Sequence, residues 1–413
     1  MITRLEEEKV IRDPIHEYIH VNYKIIWDCI NAKEFQRLRR IHQLGATFQV
    51  YPTAEHSRFS HSLGVYEIVR RMISEIKELD AVLKEEEKIV VLLAGLLHDI
   101  GHGPFSHSFE YASGTNHEEF TLQIVLEDSE IHQILFAADE TLPKQVAAVI
   151  NHTHSNELLC QLISGQLDAD RMDYLLRDAY FTGTSYGEFD LGRILRTLRV
   201  SENKLVVKES GMHAIEDYIM ARYHMYWQVY YHPISRSYEA ILTMIFKRLK
   251  DLYQEYPTIA EKYPMFQGFL TEERMSIHTH FLLDEPACFH GFSNMRESED
   301  EILKDLAIRL LDRKLFGYED LAQTSKKEVK QLLIEKGYSS EYYLYMDSPT
   351  QKPYKPYNEQ EQTPIWVITK EQTIKELSEV SEIVNSITKG KSKKDEKIFF
   401  PNEIKENKNE LSK

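Results

Sequence analysis

The sequence has little cysteine, no surplus of basic charge and no long apolar run, and each shortage closes off a class of protein. Its three cysteines (Cys29, Cys160, Cys288) are odd in number and lack metal-type spacing. Neither a disulfide framework nor a cysteine-held zinc is expected, and a reducing cytoplasm is the expected location. Acidic residues outnumber basic ones by 66 to 50, giving a net charge of −16. Nucleic acids and membrane surfaces are polyanions, so neither is an expected partner, and an anionic substrate needs a locally basic pocket. The most apolar stretch, Ile89–Leu97, is too short to span a bilayer and runs into His98-Asp99, which marks it as a core helix. The first residues, Met1 to Glu8, are acidic and lack an apolar signal core, so no targeting segment is expected.

What remains is a soluble globular composition, 42% hydrophobic and 28% charged, in a chain of 413 residues. That length exceeds one average domain and allows a sizeable core. Helical periodicity dominates from about residue 22 to 260, with few glycines or prolines to interrupt it. One exception is Arg193–Glu209, where Ile194, Leu195, Leu198 and Val200 precede a polar turn and Leu205-Val206-Val207 follow it, the pattern of a β-hairpin. After about residue 270 predicted helices at Ser298–Leu311 and Ser325–Lys336 alternate with strand-like runs at Tyr342–Tyr345 and Ile365–Ile368. Asp347–Pro356, with three prolines, reads as a connector, and Lys389–Lys394 as a solvated loop. The expected fold is mainly α: an all-helical core with a small β-hairpin and a C-terminal α+β unit. The expected divisions are an N-terminal segment (1–50), a helical core (51–270) and the C-terminal unit (271–413).

The chemistry starts at His98-Asp99. Glu85-Glu86-Glu87 suit the positive end of a helix dipole, and the apolar middle is buried. A carboxylate at the negative end of that buried helix is badly placed unless a cation accompanies it. Gly101, Gly103 and Pro104 then break the helix, letting His102 and His107 fold over its end. On its own, a His-Asp pair ordinarily caps a helix and nothing more. Its company is what carries the argument. Upstream, Arg58–Gly64 brings His61 into another helix; downstream, Asp168–Asp178 places Asp170, Tyr174, Arg177 and Asp178 on one helical face. Two imidazoles and two carboxylates suit one divalent ion (Mg, Mn, Fe, Ni or Zn) with open positions for water and substrate.

Asp13-Pro14-Ile15-His16, Phe35–Arg39, Arg58–Gly64, His98–His107 and Asp168–Asp178 together resemble the deoxynucleoside triphosphate triphosphohydrolases of the HD superfamily. The likeness is to the branch holding the human SAM- and HD-domain dNTPase and its bacterial relatives. It covers about residues 5–260, extends more weakly to Lys352–Tyr357, and includes no SAM domain. The resemblance implies hydrolysis of a dNTP to deoxynucleoside and inorganic triphosphate. It implies His61, His98, Asp99 and Asp170 as metal ligands, and His107 as proton donor to the leaving 5′-oxygen, supported by Glu110 and His117. Glu110 stands where the family often has Asp. Arg58, His102, Arg171 and Arg222 match phosphate contacts, Tyr174 and Asp178 a sugar 3′-hydroxyl site, Gln43 and Leu44 the sugar pocket, and Tyr230 the tyrosine under C2′. A tyrosine there leaves no room for a 2′-hydroxyl. The family also implies a homotetramer switched on by GTP or dGTP at sites matching Lys9, Val10, Asn31, Gln36 and Arg39. Two positions depart: Asn31 replaces a guanine-reading Asp, and Arg12 replaces an Asn. An amide lacks the charge that pairs with guanine N–H groups, so the activator's base is open.

Two rivals stand beside this reading: an HD phosphohydrolase of another nucleotide phosphoester, and a catalytically silent nucleotide sensor or scaffold. A zinc protease is excluded, because His117-Glu118 lacks the second histidine of its motif. His20, His132, His152, His154 and His213 are taken as ordinary core or surface residues.

Overall fold

The chain begins with two strands that the sequence does not advertise. In the computed structural model, which describes residues 2–105, 107–351, 364–389 and 393–404, β1 (Arg4–Asp13) pairs antiparallel with β2 (Glu17–Tyr23). The side chains of 107, 350, 351 and 393 lie outside the description, as do the string 352–357 and most of the expected basic loop. β2 buries Ile19 and Val21 at period two, whereas β1 is mostly exposed and charged. That is why the hairpin is hard to see in advance.

The helical core follows. α1 (Arg58–Glu75) and α2 (Glu85–Leu97) pack together, and every residue from Ile89 to Leu97 is buried. α3 (His107–Ser113) and α4 (His117–Leu126) come next, α4 capped by Asn116. α5 (Ala169–Thr182) starts on Asp168, whose carboxylate accepts from the Arg171 N–H at 2.7 Å, and stops at Gly183 in the left-handed region (φ 69°). This is capping chemistry at both ends. β3 (Leu198–Ser201) and β4 (Lys204–Lys208) form the expected hairpin, but Ile194 and Leu195 belong to the helix before it.

α6 (Met212–Met225) runs into a π-helical turn, Tyr226–Tyr230, before α7 (Pro233–Glu255). Wider turns of this kind re-aim side chains near sites. Here Tyr226, Tyr230 and Tyr231 all face one cleft. Beyond α7 lie α8 (Glu285–Met295), α9 (Glu301–Leu311), β5 (Gly317–Asp320), α10 (Lys326–Glu335) and β6 (Tyr345–Asp347). The strand starts at Tyr345, later than its apolar run suggests. β7 (Trp366–Ile368), β8 (Ile374–Glu376) and β9 (Lys397–Phe400) follow.

The last third does not fold back only on itself. β5, β9 and β6 make an antiparallel sheet, but β7 pairs parallel with β4, so the 364–380 stretch extends the earlier hairpin into a four-stranded sheet. Two apolar clusters result. One gathers Ile19 to Val229 with Ile365, Val367, Leu377 and Val384; the other runs from Ala46 and Phe105 through Tyr238 to Ile404. The architecture is mainly helical with small sheets. Among the described residues, no helix is long and apolar enough to cross a membrane.

Candidate metal centre and cleft

Three helices bring the candidate ligands together. The first turn of α1 carries Arg58 and His61, the turn after α2 carries His98 and Asp99, and the first turn of α5 carries Asp170. His61 Nε2 lies 3.1 Å from Asp170 and 3.8 Å from Asp99; His98 Nε2 lies 3.5 Å from Asp99 and 3.7 Å from Asp170. Each ring is fixed through its other nitrogen, His61 Nδ1 to Asp173 at 2.8 Å and His98 Nδ1 to the Gly95 carbonyl at 2.9 Å. Both Nε2 atoms are buried without a hydrogen bond among the described residues. Buried ring nitrogens turned towards two carboxylates yet bonded to neither fit a divalent cation between them.

The electrostatics agree. Burial opposes a charge on His61, yet the carboxylates of Asp170 and Asp173 push its pKa up to about 10. Burial also opposes ionisation of Asp99, but His98, His102 and Arg58 hold its carboxyl well below the usual range. Without a cation, protons take its place. A cation must displace the second proton of His61, so its affinity is expected to strengthen as pH rises from about 7 to about 9, by up to about tenfold per unit for one proton displaced. Mn²⁺ titration calorimetry at both pH values checks this, and a pH-independent affinity would contradict it. The cation-free fold follows the same sign. His61 is more basic folded than its ordinary 6.5, so its contribution is full below that value and lost as pH climbs through about 10.

Asp99 is not left to a cation alone, because Arg58 donates to its carboxylate at 2.5 Å. His102 stands 3.4 Å from the same carboxylate, and its ring stacks on His117 at 3.8 Å. Burial and Arg58 drive the His102 pKa well below its ordinary value, which keeps it neutral. His117 Nδ1 and its backbone N–H both meet Glu110 Oε1, at 2.5 and 2.9 Å. His107 opens α3, but its side chain lies outside the described residues.

A cleft of about 600 Å³ opens onto the carboxylates of the candidate metal cluster. Gln43, Leu44, Arg58, Asp99, His102, His117, Asp170, Tyr174, Asp178 and Tyr230 line it. Arg171 and Arg222 are not in its lining. Arg171 is tied to Asp168 at 2.8 Å, and Arg222 lies 5.9 Å from the Tyr226 ring, its Nε buried and without a hydrogen bond among the described residues. Arg177 does not face the cleft either. It is fully buried between Asp13 and Asp173, so the polar stripe on α5 splits between a ligand wall and an internal ion pair.

Asp173, His56 and Arg236 are the candidate site residues that escape sequence reasoning. His56 Nε2 and the Tyr230 hydroxyl each bond one oxygen of Asp178 at 2.8 Å, and Tyr174 meets Tyr230 edge-on at 6.2 Å. Burial, with Asp178 alongside, keeps the Tyr230 phenol protonated and therefore a donor. Arg236 also lines the cleft and bridges Asp347 and Asp395 at 2.5 and 2.6 Å, which ties the cleft to the C-terminal segment. Only Asp173 left a signal, its place inside the Asp168–Asp178 string.

The matched activator positions lie on the surface. Gln36 donates to the Ile30 carbonyl and accepts from Arg39 Nε, while Asn31 donates to the Trp27 carbonyl. On β1, Lys9 is half-buried beside Glu7 and Val10 is exposed. The histidines taken as ordinary include His132, bonded to the Val125 carbonyl, and His213, bonded to Glu216.

A His, His, Asp, Asp donor set beside a tyrosine-walled cleft that also carries Arg58 suits a cation-assisted phosphohydrolase. The chain belongs to the HD-domain family: the HD domain matches residues 58–178 and the HD associated region residues 189–261. It is 48% identical over 412 residues to the uncharacterized protein YwfO of Bacillus subtilis, covering 97% of this chain and 94% of that one. It is also 30% identical over 262 residues to the deoxynucleoside triphosphate triphosphohydrolase SAMHD1 homolog of Dictyostelium discoideum. That match covers 58% of this chain and spans about half (49%) of the relative. Among solved structures, a phosphohydrolase from Bacteroides thetaiotaomicron superimposes with a TM-score of 0.83 at 29% identity, covering 95% of this chain and all of that one. A hypothetical protein from Aquifex aeolicus gives 0.76 at 32% identity, covering 97% of this chain and 98% of that one.

Proposed function

We propose that this HD hydrolase cleaves a dNTP to the deoxynucleoside and inorganic triphosphate. The observation that carries the reading is the cleft itself. Asp99 and Asp170, the carboxylates of the His61, His98, Asp99 and Asp170 cluster, line it together with Tyr174, Asp178 and Tyr230, a phenol–carboxylate wall suited to a sugar, and with Arg58 and His102 for phosphate. Relatives known as deoxynucleoside triphosphate triphosphohydrolases support it.

Those four residues would hold the cation, which when bound supplies positive charge at the phosphate and a more acidic water. The chain's own groups do the rest. Arg58 and His102 bind phosphate oxygens, with Arg171 and Arg222 assigned the same role from the resemblance. Asp178, with each oxygen holding one bond already, retains lone pairs for a sugar hydroxyl, and Tyr174 closes that side. Tyr230 excludes a 2′-hydroxyl sterically. Water oxygen adds to the α-phosphorus, the bond from phosphorus to O5′ breaks, and the leaving oxygen takes a proton. We assign that proton to His107, with Glu110 and His117 as its support. A histidine serves well, because an alkoxide leaves poorly unless protonated.

The regulatory part of the proposal is a homotetramer activated by GTP or dGTP at Lys9, Val10, Asn31, Gln36 and Arg39. Chromatography of products from dNTP, NTP, nucleoside monophosphate and cyclic dinucleotide substrates, with and without GTP or dGTP, tests the whole. Inorganic triphosphate from dNTPs is expected. Pyrophosphate or orthophosphate as the product would overturn the assignment of the scissile bond. Equal rates with and without either guanine nucleotide, and without cooperativity, would overturn the activation.

A further inference from the structure

The group that fixes His61 from behind is tied to the N-terminal hairpin. Asp173 is fully buried and accepts from His61 Nδ1 at 2.8 Å, from His16 Nε2 at 2.7 Å, and from Arg177 twice at 2.9 Å. Arg177 reaches onward to Asp13 at 2.8 Å. Asp13 in turn accepts from the N–H groups of Ile15 and His16 at 2.9 and 3.0 Å, which fixes the turn that aims His16 inward. The His16 side chain is 1% exposed. The same hairpin's outer face is open, with Val10 52% and Tyr18 43% exposed. A hairpin with a free outer face thus ends in a turn bonded to the carboxylate that orients a candidate metal ligand.

We propose that the Asp13–His16 turn is a positioning element for His61, so that the seating of the hairpin sets the affinity of the cation site. The idea rests on the cation-site reading above. A carboxylate that accepts from a ligating histidine fixes its tautomer and ring plane, and loss of such a partner costs about 10- to 100-fold in metal affinity. Removing His16 leaves Asp173 free to turn towards Arg177, and His61 loses its fixed orientation. Coupling of this kind is reciprocal: if the hairpin tightens the cation, the cation must tighten the hairpin.

The test is Mn²⁺ titration calorimetry on the full chain as wild type, His16→Ala and His16→Gln, with circular dichroism to confirm folding. His16→Ala is expected to weaken Mn²⁺ by at least about tenfold. His16→Gln, whose amide can donate to Asp173, recovers part of the loss. Unchanged Mn²⁺ affinity in a folded His16→Ala protein overturns the proposal while leaving the cation site intact. A wild type that binds no divalent cation sinks both. Should His16→Ala fail to fold, hydrogen exchange of the wild-type hairpin decides. The amides of β1 and β2 must exchange more slowly with Mn²⁺ bound, and equal rates refute the coupling.

Discussion

Asp99→Ala is expected to lower dNTP turnover by about 10³-fold or more at saturating metal, a barrier increase of about 4 kcal/mol at 1.36 kcal/mol per tenfold. The size follows from how many groups the carboxylate serves. It faces the Nε2 atoms of His61 and His98, so its loss removes a cation donor and leaves two buried imidazoles nearer to repulsion. It also accepts from Arg58 and faces His102, the pair assigned to phosphate. Removing one partner of a buried ion pair costs stability as well, about 3–5 kcal/mol where nothing replaces it. Asp99→Asn is the needed control, since it keeps the volume and loses the charge. Steady-state rates at several Mn²⁺ concentrations check the prediction, and activity within about threefold of wild type would be incompatible with the proposed site.

Gly64→Ala carries the second large effect, and its sign runs against helix propensity. Inside a helix, alanine is favoured over glycine by about 1 kcal/mol. Gly64 sits in α1, yet a Cβ there would lie 1.8 Å from Asp173 Oδ1 and 2.5 Å from an Arg177 nitrogen. Neither neighbour can yield cheaply. Asp173 is held by His16, His61 and Arg177, and Arg177 is fully buried. Displacing that network breaks a buried ion pair, a cost of about 3–5 kcal/mol, and outweighs the propensity gain. Denaturant titration of Gly64→Ala is therefore expected to show a loss of at least about 2 kcal/mol. A stability equal to or above wild type would mean that the network is slack.

The candidate metal cluster is legible in the sequence because each proposed ligand accompanies a visible backbone event. His61 enters at a helix start, His98-Asp99 precedes the Gly101, Gly103, Pro104 break, and Asp170 follows the capping Asp168. The partners that orient the site are illegible because they come from far away. His16 meets Asp173 across 157 positions, His56 meets Asp178 across 122, and Arg236 reaches Asp347 and Asp395 across 111 and 159. No local period encodes such pairs. Arg177 illustrates the cost. A helical wheel places it with Asp170 and Asp178, and only the hairpin turn that delivers Asp13 buries it. The hairpin itself was hidden by a first strand whose exposed charges carry no alternation. At the other end, β7 looked like part of a local C-terminal unit, but its pairing with β4 is decided by the three-dimensional packing of Ile365 and Val367 into the first apolar cluster.

Turnover of a dNTP in ¹⁸O-labelled water tests the central claim most directly. The account predicts one labelled oxygen in the inorganic triphosphate and none in the deoxynucleoside, with label incorporation lost on chelation and restored by Mn²⁺. Label in the deoxynucleoside, or in a deoxynucleoside monophosphate released with pyrophosphate, would contradict it.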